Sequence, residues 1–102
     1  MKFLAMSRRA PVATDADVAA HATTEALQAF RLMRAGVFEQ LYFSRDWRGA
    51  VLLLHVDCRE DAQAALDSLP MVAAGVIVFD LYQLEPYDHY ERLFKDEHRA
   101  AL

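Results

Sequence analysis

The sequence has little cysteine and little glycine, and each shortage excludes a class of protein. Cys58 is the single cysteine, so the chain can form neither an internal disulfide nor a cysteine-cluster metal site. With three glycines in all, it has no glycine-rich loop of the kind that cradles phosphate groups. His21, His89 and His98 have no companions at metal-ligand spacing. The sequence therefore predicts no metal and no cofactor.

A long hydrophobic run and an excess of basic charge are also missing. The longest strongly apolar stretch, residues 50–56, contains His55 and is far shorter than the ~20 residues that span a bilayer. The N-terminal apolar stretch is too short for a secretory signal, and Arg8 and Arg9 follow it instead of preceding it. The net charge is −4, and the basic residues are scattered. We predict a cytoplasmic protein with neither a membrane nor a nucleic-acid partner.

Apolar residues, in contrast, are abundant. They make up 55% of the chain, against ~45–50% in an average soluble domain. A chain of 102 residues fits one core, and a monomer of that size buries only ~60–65% of its unfolded surface. The surplus indicates a further buried face. Self-association covers such a face most simply, so we expect a homodimer or a higher even oligomer.

The spacing of the apolar residues predicts the order strand, helix, strand, strand, helix, strand. The predicted elements are residues 2–8, a helix between Thr14 and Gly36, residues 37–45, 50–57, a helix from Asp57 to Pro70, and residues 76–84. Thr14 and Asp17 have the spacing of an N-terminal cap, and Glu60 is expected to help cap the second helix. The first helix is expected to lie on the sheet through Val18, Ala22, Ala26, Ala29, Phe30 and Met33.

Right-handed crossovers fold this order into a ferredoxin-like α+β domain, with a four-stranded antiparallel sheet and two helices on one face. The other sheet face is then bare. Two such faces packed together form a dimeric α+β barrel with a cavity between the sheets. Residues 1–86 are predicted to form this domain.

Residues 87–102 are predicted to form a C-terminal helical tail that acts as a flap or dimer strap. Tyr87, Tyr90 and Phe94 would share one face of that helix, and Glu91 would pair with Lys95.

Two segments carry a resemblance to a known family. The stretches Gly49 to Asp57 (GAVLLLHVD) and Leu69 to Asp80 (LPMVAAGVIVFD) resemble muconolactone isomerase-like and YCII-related small proteins. The most specific parts are the junction at 36–38, the Leu69-Pro70 pair and the tail residues 84–87 and 92–94. The resemblance implies a dimeric α+β barrel that isomerises an unsaturated lactone in a pocket shaped by oligomer contacts. After Pro70 the true isomerases have an aromatic, proline-containing continuation, whereas this chain has small residues.

His55 and Asp80 are the candidate catalytic residues. Alternation along the third strand places His55 on the bare face, opposite the apolar set Ala50, Leu52, Leu54 and Val56. A neutral imidazole there could move a proton, or it could be an ordinary histidine satisfied by one hydrogen bond. Asp80 lies on the bare face of the last strand, where an apolar cavity would raise its pKa and suit it to act as a base. Alternatively, Asp80 pairs with an arginine or faces water.

Five further residues are candidate ligand contacts. On the second strand we assign Phe38, Gln40, Tyr42 and Ser44 to the cavity, because burying Glu39 without a partner costs several kcal/mol by order of magnitude. Gln40, Tyr42 and Tyr82 would then hold ligand oxygens or make polar dimer contacts. Arg8 and Arg9, together with the helix start near Thr14, could hold an anion, or they could be solvated loop charges.

These residues leave three functions open. The first is a cofactor-free isomerase or lyase-like enzyme acting on a small unsaturated carbonyl or carboxylic compound that binds in the inter-sheet cavity. The second is a non-catalytic small-molecule binding or interaction module, which the missing isomerase-like segment favours. The third is a cofactor-independent monooxygenase, because related barrels oxidise aromatic substrates.

Overall fold

The computed structural model describes residues 1–102 and contains one antiparallel sheet with helices packed on one side. The strands are β1 (Lys2–Arg9), β2 (Phe38–Ser44), β3 (Gly49–His55) and β4 (Ile77–Leu84), in the order β2-β3-β1-β4. The helices are α1 (Asp15–Arg34), α2 (Arg59–Asp67) and α3 (Pro70–Ala73). This is the predicted ferredoxin-like α+β architecture. None of the helices combines the length and the apolar composition that crossing a bilayer requires.

The strand register separates the sheet into a helix-covered face and an open face. Phe3 pairs with Leu54, and Ala5 pairs with both Leu52 and Leu81, so these side chains share the helix-covered face. Their neighbours along each strand point to the other side because side chains alternate. The faces predicted for β3 and β4 are therefore confirmed. His55 lies at the end of a central strand, and Asp80 lies on an edge strand.

The core occupies one half of the helix-covered face. Its buried side chains come from three strands, α2 and the turn before α3, and they are Phe3, Ala5, Phe38, Leu52, Leu54, Ala62, Leu66 and Leu69. Helix α2 contributes Ala62 and Leu66, four residues apart, so one face of the helix rests on the sheet. Helix α1 contributes no buried residue.

Helix α1 begins as predicted but turns a different side toward the protein. The Asp17 N–H donates to Thr14 Oγ1 at 3.2 Å, and the Thr14 N–H donates to the Asp17 carboxylate at 2.9 Å, which completes a capping box. Gly36 follows with φ of 79°, the left-handed conformation expected after a helix end. The predicted sheet-facing side is wrong for four of its six residues, because Ala22, Ala26, Phe30 and Met33 are exposed.

Polar contacts with the segment before β4 explain this rotation of α1. Glu25 Oε1 accepts a hydrogen bond from the Met71 N–H at 2.9 Å, and Gln28 Nε2 donates to Ser68 Oγ at 3.0 Å. These bonds hold α1 against α3 and the end of α2 instead of flat on the sheet. The half-buried side of α1 is consequently Val18, His21, Glu25, Gln28, Ala29 and Leu32.

The second helix differs from the prediction in its cap, and a short third helix follows it. Helix α2 begins after Cys58, which makes no side-chain capping bond, so the expected role of Glu60 is wrong. Helix α2 ends at Asp67, ahead of Pro70 as predicted. Pro70 is instead the first residue of the unpredicted α3, a position that suits proline because the N–H it lacks would have no partner there.

A β-bulge corrects the prediction for β2. The register shifts between Phe38 and Gln40, so Phe38 faces the core opposite Leu54, whereas Gln40 and Tyr42 face the open side. Phe38 is 1% exposed and therefore cannot line an inter-sheet cavity. Glu39 is exposed and forms an ion pair with Lys2 at 3.4 Å, so it is not buried without a partner.

The C-terminal tail is helical, but it consists of two 3-10 helices, His89–Phe94 and Asp96–Ala101. Lys95 between them is extended, so the expected Glu91–Lys95 pair does not form. Tyr87 and Tyr90 stack with ring centroids 6.2 Å apart, and Phe94 meets Tyr90 edge-on at 6.2 Å. Every residue from Glu85 onward is exposed, and the longest dimension of the chain is 60 Å.

Candidate functional site

The largest cavity lies between helix α1 and the helix-covered face of the sheet, beside the core. Its volume is about 980 Å³. Its floor is formed by sheet residues that include Leu52, Ile77 and Phe79, and its roof includes Val18 and Ala29 of α1. The cavity is therefore mainly apolar.

Small residues beneath α1 leave this space unfilled. Ser7, Gly49 and Ala50 line the cavity where larger side chains would occupy it. Ser7 Oγ accepts a hydrogen bond from the Ala50 N–H at 2.7 Å, which satisfies the hydroxyl within the sheet. Because Glu25 and Gln28 hold α1 on the segment around α3, the helix does not descend to close the gap.

The β2–β3 turn forms one wall of the cavity, and Trp47 fixes it. Trp47 Nε1 donates to the Ser7 carbonyl oxygen at 3.1 Å. This contact needs glycine at position 49, since a Cβ there would lie 2.5 Å from the same carbonyl oxygen and still closer to the Trp47 ring. Phe43, which is exposed, also borders this side of the cavity.

Charged groups gather where the turn meets the start of α1. Arg9 Nη1 lies 2.7 Å from Asp15 Oδ1, and Arg48 lines the same part of the cavity. The hydrogen bond and charge of Arg9 lower the pKa of Asp15, and the charge of Arg48 lowers it further. Two guanidinium groups and one ionised carboxylate therefore leave this cluster with a net positive charge.

Glu25 is the acidic group in the roof of the cavity. Its partial burial raises the pKa of its carboxyl, although the hydrogen bond from the Met71 N–H and the charge of His21 act in the opposite direction. A carboxyl with a raised pKa exchanges a proton closer to neutral pH than an ordinary glutamate does. Glu25 is thus the residue of the cavity best suited to proton transfer.

The open face of the sheet carries six of the residues that the sequence analysis singled out: Arg8, Gln40, Tyr42, His55, Asp80 and Tyr82. They surround a central apolar strip formed by Leu4, Met6, Val51 and Leu53, which is only partly buried. Tyr42 and Tyr82 are more than half exposed. Of the six residues, Tyr42 alone also borders the helix-side cavity, at the β2 edge.

His55 and Asp80 share this face but lie far apart. His55 pairs with Lys2 of β1, and Asp80 pairs with Met6, four residues further along the same strand. Four residues of strand span about 13 Å, and two strand spacings add about 10 Å across the sheet, so their Cα atoms are about 16 Å apart. Within one chain the two side chains therefore cannot act together on one small molecule.

The remaining contacts on the open face are local. The carboxylate of Asp80 lies 3.4 Å from Arg8 Nε, an ion pair between two half-exposed side chains. Arg8 therefore points away from the start of α1, and Arg9 is the member of the predicted anion-holding pair that lies there. The physical reason is strand alternation, which directs Arg8 to the open face and Arg9 to the helix side. Tyr42 donates its hydroxyl to Gln40 Oε1 at 3.1 Å.

Sequence reasoning identified Arg9 beside the start of α1 but missed the helix-side cavity and its polar residues Glu25, Trp47 and Arg48. One available signal was the set of small residues at positions 5, 7, 49 and 50, whose side chains fill little of the space on that part of the core-facing side. A second was the tryptophan in a polar turn, because a ring of that size needs a surface to pack against.

Comparisons with known proteins support the fold. No protein-family model matches the sequence, and no curated protein matches it significantly. Among solved structures, the chain is similar to 5-chloro-2-hydroxyhydroquinone dehydrochlorinase (TftG) from Burkholderia phenoliruptrix AC1100, in complex with 2,5-dihydroxybenzoquinone. The TM-score is 0.64 at 13% identity, over 87% of this chain and 98% of TftG. This likeness shows a shared α+β fold.

Proposed function

We propose that this chain binds a small organic molecule in the helix-side cavity. The observation that carries the proposal is the cavity itself, whose volume of about 980 Å³ is at the upper end of the ~300–1,000 Å³ range of small-molecule sites. Apolar walls with a few polar groups at defined places are also typical of such sites. The sequence alone had favoured a cavity between two sheets, on the other side of the sheet.

The lining favours a planar, oxygen-bearing ligand such as an unsaturated carbonyl or carboxylic compound. Phe79 and Trp47 offer aromatic surfaces, while Arg9 and Arg48 offer donors to oxygen atoms. TftG is a structural neighbour whose complex contains 2,5-dihydroxybenzoquinone, a small planar ring with several oxygen atoms. That molecule is therefore a reasonable first probe.

Self-association is the second part of the proposal. A second copy would cover the open sheet face, with its central strip of Leu4, Met6, Val51 and Leu53 and its exposed tyrosines. The tail supports the same view, since Tyr87 is 71% exposed and three large rings rarely remain in water. Light scattering tests this part. A dimer or a higher even oligomer is expected, and a monomer at micromolar concentration would contradict it.

Glu25 supports a second candidate function, in which the cavity catalyses a reaction of the ligand that it binds. A base in the cavity roof with a raised pKa could remove a proton from the carbon next to a ligand carbonyl and return it to another carbon of the same molecule. That reaction is an isomerisation that needs no cofactor. His55 and Asp80 remain candidates for the same role in an assembly whose inter-sheet space is enclosed. A monooxygenase has no specific observation in its favour.

A pair of alanines on α1 provides the test of the binding site. Ala29 lines the cavity and Ala26 is exposed on the same helix, so Ala29→Phe fills the cavity whereas Ala26→Phe leaves it open. Titration of 2,5-dihydroxybenzoquinone by calorimetry is expected to show binding to the wild type and to Ala26→Phe, and none to Ala29→Phe. Circular dichroism checks that both variants fold, and Val18→Phe replaces Ala29→Phe if that variant does not. Equal binding to wild type and the filled variant would refute the proposed site.

A further inference from the structure

Arg48 has an unusual backbone conformation for its residue type. It is the last residue of the turn between β2 and β3, and its φ is 55°. No other residue except glycine has a positive φ in this chain. The left-handed region suits glycine because a Cβ crowds the backbone there, so glycine at position 48 would fit the turn better than arginine. Residues that keep such a conformation are found preferentially at functional sites.

The neighbouring residues hold Arg48 at the cavity. Trp47 is fixed by its hydrogen bond to the Ser7 carbonyl oxygen, and Gly49 is buried against the same atom. Arg48 therefore lies between two anchored residues, and it lines the cavity.

The guanidinium of Arg48 has no partner of its own within the chain. It forms neither an ion pair nor a side-chain hydrogen bond, whereas the nearby Arg9 is bonded to Asp15 at 2.7 Å. One positive charge at this end of an apolar cavity is thus uncompensated. A ligand with an anionic oxygen on a hydrophobic body would both pair with this charge and fill the apolar cavity, since arginine binds a carboxylate through two parallel hydrogen bonds.

We propose that Arg48 determines specificity by binding the carboxylate or phenolate of an anionic aromatic ligand whose ring lies in the helix-side cavity. This inference rests on the proposed function, because it assigns the ligand class of that same site. A ligand contact of the guanidinium would account for arginine at a position whose backbone conformation favours glycine.

The experiment compares two probes of nearly equal shape, 2-naphthoate and its neutral analogue 2-naphthamide. Calorimetry measures the affinity of each for the wild type, Arg48→Gly and Arg45→Gly. Arg45 is the matched control, since it is an exposed arginine of the same turn that does not line the cavity. The wild type and Arg45→Gly are expected to bind naphthoate about tenfold or more tightly than naphthamide. Arg48→Gly is expected to lose that preference while keeping its affinity for naphthamide.

Thermal unfolding separates recognition from a structural role. Arg48→Gly should have a melting temperature equal to or above that of the wild type, because glycine suits the positive φ. A naphthoate preference that persists in Arg48→Gly would overturn the inference, as would equal affinity of the wild type for both probes; in either case the cavity would still be a binding site. A lower melting temperature with equal loss of both probes would assign Arg48 a structural role instead. If neither naphthalene probe binds a wild type that binds 2,5-dihydroxybenzoquinone, this inference fails and the proposed function stands; if none of the three molecules binds, both fail.

Discussion

Replacing Gly49 with alanine should disturb both the stability and the site of this protein. A Cβ at position 49 would lie 2.5 Å from the Ser7 carbonyl oxygen and closer still to the Trp47 side chain. Forcing such a contact in a packed region costs about 1–3 kcal/mol. Displacing Trp47 from its hydrogen bond to Ser7 costs about 1 kcal/mol more. The free energy of unfolding should therefore fall by about 2–4 kcal/mol.

Urea denaturation at a fixed protein concentration measures this change, because self-association would otherwise shift the apparent stability. Gly36→Ala is the control, since a Cβ there meets no atom within 4 Å and the cost arises only from the φ of 79°. That variant should lose about 1 kcal/mol. Trp47 is the only tryptophan, so its emission reports the turn directly and should shift in Gly49→Ala alone. A stability within about 0.5 kcal/mol of the wild type, with unchanged emission, would refute the packing described for this turn.

Three further predictions address the roof of the cavity, the tail and the open face. Because folding raises the pKa of Glu25, the contribution of Glu25 to stability is greatest below the ordinary value of 4.5 and is lost as pH rises through the raised pKa. Glu25→Gln should therefore flatten that part of the pH profile of stability measured by urea unfolding. An unchanged profile would contradict the burial described for Glu25. Deleting residues 87–102 should dissociate the oligomer or lower the melting temperature, and a truncated chain unchanged in both respects would show that the tail is dispensable. His55→Asn should leave ligand affinity unchanged, since His55 lies outside the helix-side cavity, so a loss of binding would favour a site between two sheets.

Strand alternation explains why so much of the sheet could be predicted from the sequence. Along β3, Leu52 and Leu54 alternate with Leu53 and His55. A strand in a sheet has only two faces, so one pair must face the helices and the other pair the open side. The N-terminus of α1 was equally predictable, because Thr14 and Asp17 form a capping box from local residues alone.

The errors have physical causes that local patterns do not contain. A bulge between Phe38 and Gln40 shifts the alternation of β2 by one residue, and nothing in the sequence marks where it occurs. The orientation of α1 depends on bonds from Glu25 and Gln28 to residues more than 35 positions away, which outweigh the preference of its apolar side for the sheet. The cavity was missed for a related reason. It exists because small residues and a raised helix leave space, whereas sequence patterns identify the side chains that fill space.

A crystal structure of the protein with 2,5-dihydroxybenzoquinone tests the central claim most directly. We expect the ring to lie between α1 and the helix-covered face of the sheet, in contact with Phe79 and Trp47, with an oxygen atom directed toward Arg48. Ligand density between the open faces of two sheets, with the helix-side cavity empty or filled by side chains, would contradict the account.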